Sequence, residues 1–170
     1  MSFRSFTFPK ATLEMAKVVF NKNAGSKFIS YLPINQFRFL DIYLTSIGMP
    51  SLEYAVAFRF DANQQQPIHI DGDNEFRKCS LNFLISGGGE VDFYTCDKEP
   101  DVKISSTGIR SYSLSHAKCE LLSAHEMTSA FLMTTDIPHC AKQNTATDLL
   151  CVRFANNPSF QQVLDAVKSS

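Results

Sequence analysis

Hydrophobic and polar positions along this chain change period twice. Leu13, Ala16 and Phe20 recur three or four residues apart, which predicts a helix, and Asn23-Ala24-Gly25 can close it. Pro33 suits the first position of a second helix, with Phe37, Leu40, Leu44 and Ile47 on one face and Gly48 and Pro50 as its stop. From Tyr54 the period becomes two. Tyr54, Val56, Phe58 and Phe60 alternate with Ala55, Ala57 and Arg59. Leu81, Phe83 and Ile85 alternate with Asn82, Leu84 and Ser86, and Gly87-Gly88-Gly89 turns the chain into a strand over 91–94. More strands are predicted at 111–114, 120–125, 129–134 and 148–154. The gaps between them are too short for helical crossovers, so the sheet should be antiparallel. Eight or so short strands over about 100 residues suggest a sandwich or a jelly roll. The helical period then returns, with Asn157 as cap, Pro158 in the first turn, and Phe160, Val163, Leu164 and Val167 as the apolar stripe.

These patterns divide a single domain of 170 residues into a helical part at 1–50, a β core at 51–155 and a closing helix at 157–168. The expected class is mainly β (α+β), with the helices packed outside the sheets. A net charge of −1 gives no electrostatic footprint for nucleic acid or an anionic membrane. Residues 1–10 lack the apolar stretch of a signal peptide, and no run of 18 apolar residues occurs, so a cytoplasmic protein without a membrane partner is expected. The cysteines at 79, 96, 119, 140 and 151 are odd in number and show no CxxC spacing. They are expected to be reduced and mostly buried.

On a strand, His69 and Asp71 point the same way. With a distal His139 they would make the ligand set of two imidazoles and one carboxylate that holds ferrous iron and leaves positions open. On spacing alone, the plainer reading of His69 is a surface histidine beside the turn-forming Asp71-Gly72-Asp73-Asn74. His139, just after a predicted strand, reads by itself as a loop histidine. His116 and His125 lie in polar, alternating surroundings and read as strand-surface or turn residues. Arg153 follows His139 by 14 residues and shares a strand face with Leu149 and Cys151. A guanidinium on a mostly buried face needs a partner. The partner would be either a ligand carboxylate or an internal acidic side chain. Gly87-Gly88-Gly89 lacks the Lys-Ser/Thr of a phosphate loop, and no G-x-S-x-G occurs. Cys140 adjoins His139 but should point the other way.

The runs Pro67-Ile68-His69-Ile70-Asp71-Gly72, Arg77-Lys78-Cys79-Ser80-Leu81-Asn82-Phe83-Leu84-Ile85, Pro138-His139-Cys140-Ala141-Lys142-Gln143-Asn144 and Leu150-Cys151-Val152-Arg153-Phe154 resemble the Fe(II)/2-oxoglutarate-dependent dioxygenases. The resemblance spans about residues 54–155 and implies an antiparallel double-stranded β-helix, a cupin-like jelly roll. It implies that His69, Asp71 and His139 bind Fe(II) and carry catalysis. Arg153 would bind the far carboxylate of 2-oxoglutarate, and Asn82 and Tyr94 would line the cosubstrate pocket. The implied reaction hydroxylates a C–H bond of a small molecule or an amino-acid or protein side chain, with decarboxylation to succinate. Two other readings stand beside it. One is a cupin-type metalloenzyme that does not use 2-oxoglutarate, against which Asp71 stands where H-x-H would place a second histidine. The other is a non-catalytic jelly-roll binding module, which would carry no stoichiometric metal.

Overall fold

A computed structural model describes residues 2–25, 28–72, 77–104, 110–115 and 118–168. In chain order the elements are β1 (Phe3–Ser5), α1 (Lys10–Asn23), β2 (Ile29–Pro33), α2 (Arg38–Ser46), β3 (Leu52–Phe60) and β4 (Ile68–Ile70). There follow β5 (Cys79–Ser86), β6 (Gly89–Cys96), β7 (Asp101–Ile104), β8 (Arg110–Leu114) and β9 (Cys119–Glu126). The chain ends with β10 (Ala130–Thr134), β11 (His139–Gln143), β12 (Thr147–Phe154) and α3 (Phe160–Lys168). One six-stranded sheet has the order β1-β10-β5-β12-β3-β2, and the other β7-β8-β4-β11-β6-β9. Among the described residues the strand pairs are antiparallel throughout. From β3 to β6 and from β9 to β12 the chain passes back and forth between the sheets. That winding makes a double-stranded β-helix, a jelly roll. The β7–β8 hairpin is an insertion that extends the second sheet beyond β4.

Strand alternation decides what each face buries. On β12, Leu150, Val152 and Phe154 turn outward, where they join Ala55, Ala57, Leu81, Phe83 and Leu132 against the helices. Ala16, Val19 and Phe20 of α1, Leu40 and Leu44 of α2, and Val163 and Leu164 of α3 complete this cluster. The intervening residues of the same strands face the second sheet. There Phe60, Val91, Phe93, Phe131, Met133 and Leu149 form a smaller cluster.

Several local expectations need correction. Pro33 does not open a helix. Its backbone is extended, at φ −68° and ψ 154°, and it ends β2, after which a turn of 3-10 helix over Ile34–Gln36 leads into α2. Short β1, β2 and β7 carry too few residues for a visible alternation. Helix α3 is capped by Ser159, whose Oγ accepts the N–H of Gln162 at 3.2 Å. Asn157 instead takes a left-handed φ of 45° and accepts the N–H of Lys78 on its Oδ1 at 2.9 Å.

Cys96 and Cys119 lie directly opposite each other on β6 and β9 and form a disulfide. This corrects the expectation of reduced thiols throughout, while Cys79, Cys140 and Cys151 are free and buried. The cysteine pattern therefore favours no reducing compartment. Among the described residues no helix is long and apolar enough to cross a membrane.

Candidate metal centre

His69 is the middle residue of β4, and its flanking isoleucines turn to the opposite face. His139 opens β11 and is the direct cross-strand partner of His69, with ring centroids 4.5 Å apart. Asp71 lies just past β4, and its backbone N–H donates to Thr135 O at 3.0 Å, which ties the turn to the segment before β11. Sheet pairing thus brings three side chains from two distant parts of the sequence to one end of the space between the sheets. One ligand atom from each lies within 4.8 Å of the others. The His69 Nε2 is 3.4 Å from Asp71 Oδ1, and the His139 Nε2 is 3.9 Å from Asp71 Oδ2.

The histidine orientation is fixed from behind. His69 Nδ1 meets the carbonyl of Pro67 at 2.9 Å, and His139 Nδ1 meets that of Ile137 at 2.9 Å. A carbonyl only accepts, so Nδ1 carries the proton, and in the neutral ring Nε2 keeps its lone pair turned toward Asp71. Burial, and then the neighbouring His69, push the pKa of His139 down to about 4, so it stays neutral. Burial opposes charge on His69 as well, but the Asp71 carboxylate outweighs it and the pKa is raised. Burial would raise the pKa of Asp71. The positive charge of the Arg153 guanidinium overcomes that and holds it well below the usual carboxylate range. Two oriented imidazoles and an ionised carboxylate form a donor set that fits a divalent first-row metal ion and leaves coordination positions open.

Arg153 lies within the same constellation. Its Nη2 donates to Asp71 Oδ2 at 2.5 Å, and its side chain is 7% exposed. Its Nε and Nη1 are buried without a hydrogen-bond partner. The internal acidic partner weighed from the sequence is therefore present, yet the guanidinium is only part satisfied.

Asn82 lines the cavity next to the centre. Its Nδ2 donates to Ser80 O and Ser80 Oγ at 3.2 and 3.0 Å, and its Oδ1 accepts from the Cys151 thiol. Burial pushes the Cys151 thiol up to about 11, so it remains protonated. Tyr94 is a correction. Its neighbour Phe93 takes the inward position, and Tyr94 turns to the outer face of the second sheet with Ile68, Leu114 and Cys140. There its hydroxyl donates to Asp92 Oδ2 at 3.0 Å, away from the cavity. Cys140 points away from the site, on the face opposite His139. His125 is also apart from it, stacked on Phe3 at 4.7 Å with Nε2 3.2 Å from Ser123 Oγ. His116, Asp73 and Asn74 lie outside the described residues.

The cavity measures about 40 Å³. His69, Asp71, His139 and Arg153 wall one end, Ser80, Asn82 and Cys151 form a polar collar, and the rest is lined by apolar side chains such as Phe58, Phe131 and Leu149 together with the Gln66 amide. Ser80 and Cys151 were not singled out from the sequence. They share inward strand faces with Asn82 and Arg153, so alternation alone would have found them.

No family model and no curated protein matches the chain. Among solved structures it is similar to a prolyl-4-hydroxylase of Pseudomonas putida, at 11% identity over 90% of each chain with a TM-score of 0.48. It is also similar to a hydroquinone 1,2-dioxygenase, at 10% identity over 92% of this chain and 82% of that one, TM-score 0.47. A Bacillus subtilis oxalate decarboxylase matches at 10% identity and a TM-score of 0.42, over 78% of this chain and 26% of its own, so this chain spans about a quarter of that enzyme. At such scores these neighbours have no bearing on what the chain binds or does.

Proposed function

We propose that this protein is a mononuclear non-haem Fe(II) oxygenase that takes a 2-oxo acid as cosubstrate and hydroxylates a C–H bond of a small molecule or an amino-acid side chain. The resemblance implies 2-oxoglutarate as that acid. The observation that carries the reading is the convergence of His69, Asp71 and His139, with both Nε2 atoms turned inward by carbonyl bonds to Nδ1. When bound, iron and the oxo acid supply dioxygen activation, with the acid decarboxylated and one oxygen atom delivered to the substrate.

The chain's own residues do the remaining work. The Pro67 and Ile137 carbonyls hold the tautomers. Arg153 orients Asp71 through one oxygen and leaves the other facing the His69 Nε2. Its unpartnered Nε and Nη1 can receive a carboxylate. The Phe58, Phe131 and Leu149 side chains give the cavity an apolar wall beside the polar end.

One observation favours a second reading, a metalloenzyme that uses no oxo acid. Arg153 already has an acidic partner in Asp71 and could serve only to position that ligand. An anaerobic titration with Fe(II) and then 2-oxo acids separates the two. A visible charge-transfer band that needs the acid and disappears in His69→Ala supports the oxygenase. Stoichiometric iron without a band for any 2-oxo acid moves the assignment to the second reading.

A further inference from the structure

We infer that the acid this site selects is a monocarboxylate with an apolar tail rather than a dicarboxylate such as 2-oxoglutarate. This rests on the reading of His69, Asp71 and His139 as the iron ligands and of the cavity as the cosubstrate site.

A dicarboxylic oxo acid chelating the metal carries its second carboxylate past two methylenes, so it needs a cation or a set of free donors well beyond the metal. Arg153 does not stand there. Its Nη2 touches Asp71, itself a ligand, so the guanidinium flanks the metal end of the cavity. The direction away from the metal can be followed along β12, where Arg153, Cys151 and Leu149 face inward in turn, and along β3, where Phe58 is the register partner of Leu149. The collar offers little to an anion. The Asn82 amide donates to Ser80, and its oxygen is taken by the Cys151 thiol. Beyond the collar the wall is Phe58, Leu149, Phe131 and Val91, with the neutral Gln66 amide as its one polar side chain. Among the described residues lining the cavity, Arg153 is the one permanent cation. A second carboxylate placed against that wall would be desolvated with no cation to pair it and at most one neutral amide to meet it, which is costly.

A single carboxylate avoids the conflict. Its charge meets the unpartnered Nε and Nη1 of Arg153 beside the metal, and its hydrocarbon end meets the apolar wall. The space is small, about 40 Å³, but Met127 and Met133 line it. Unbranched thioether side chains re-pack readily to admit a tail.

The test uses the whole protein, loaded anaerobically with Fe(II), and three probes: 2-oxoglutarate, 2-oxoisocaproate and phenylpyruvate. Dissociation constants come from the chelate absorption, and an independent ranking comes from the rise in Tm at fixed acid concentration. The expected result is at least tenfold tighter binding of 2-oxoisocaproate or phenylpyruvate than of 2-oxoglutarate, in both readouts. Leu149→Lys, which sets a cation at the apolar end, is expected to narrow or reverse the ratio. The wild-type ranking decides the matter if that variant does not fold. Equal or tighter binding of 2-oxoglutarate overturns the inference and leaves the iron-oxygenase reading standing. Iron binding with no acid bound overturns both the inference and the oxo-acid reading. No iron binding overturns the metal centre itself.

Discussion

The protein buries two interiors of opposite character on the two faces of one sheet. Outside that sheet, beneath α1, α2 and α3, lies an apolar cluster that includes Phe20, Leu40, Leu81, Phe83, Leu150 and Val163, all nearly or fully buried. Between the sheets, where a sandwich usually keeps its core, the apolar cluster is smaller and shares the space with His69, Asp71, His139 and Arg153. The same strands supply both. On β12, Leu150 and Val152 face the helices while Cys151 and Arg153 face the cavity. The helices thus relieve the inter-sheet space of most of the burden of stability. That allows it to hold charged and polar groups whose burial is costly unless they are paired.

Three substitutions bear on this division. The largest effect is expected from His139→Ala, which removes a proposed ligand from the inner space. Iron affinity should fall on the order of 100-fold or more, measured by metal analysis after desalting, while the outer cluster and its unfolding transition persist. Retained stoichiometric iron would dissolve the proposed centre. Leu150→Ala acts on the outer interior. Leu150 is fully buried, and its truncation should cost about 2–5 kcal/mol in urea unfolding. Iron affinity of the folded fraction should be unchanged, and a parallel loss of both would show that the two interiors are not separable. Cys96→Ser touches neither, since it opens a link between strands that are already paired along their length. Its cost should be at most about 3.5 kcal/mol for a loop of 23 residues, read as a lower Tm under non-reducing conditions with iron binding intact.

Much of this division could be read from the chain. The alternation at 54–60, 81–86 and 148–154 marked strands that the structure contains as β3, β5 and β12. The stripes at Leu13, Ala16 and Phe20 and at Phe160, Val163 and Leu164 marked helices that bury those faces. The proposed ligand set was legible as residue types at plausible separations, but the spacing of His69 and Asp71 was equally that of a surface turn. Cross-strand pairing sets His69 beside His139, and pairing between distant strands leaves no local trace.

The sequence by itself determined which residues are apolar with which period, and therefore which elements form and which side chains share a face. Those are local properties, set by side-chain chemistry and by the geometry of helix and strand. The tertiary structure decided the rest. It placed Arg153 against Asp71, turned Tyr94 away from the cavity on the outer face of its sheet, joined Cys96 to Cys119 and left the described lining opposite Arg153 without a cation. Each of these depends on strand order and register between segments far apart in the chain, which arise only when the two sheets close on each other.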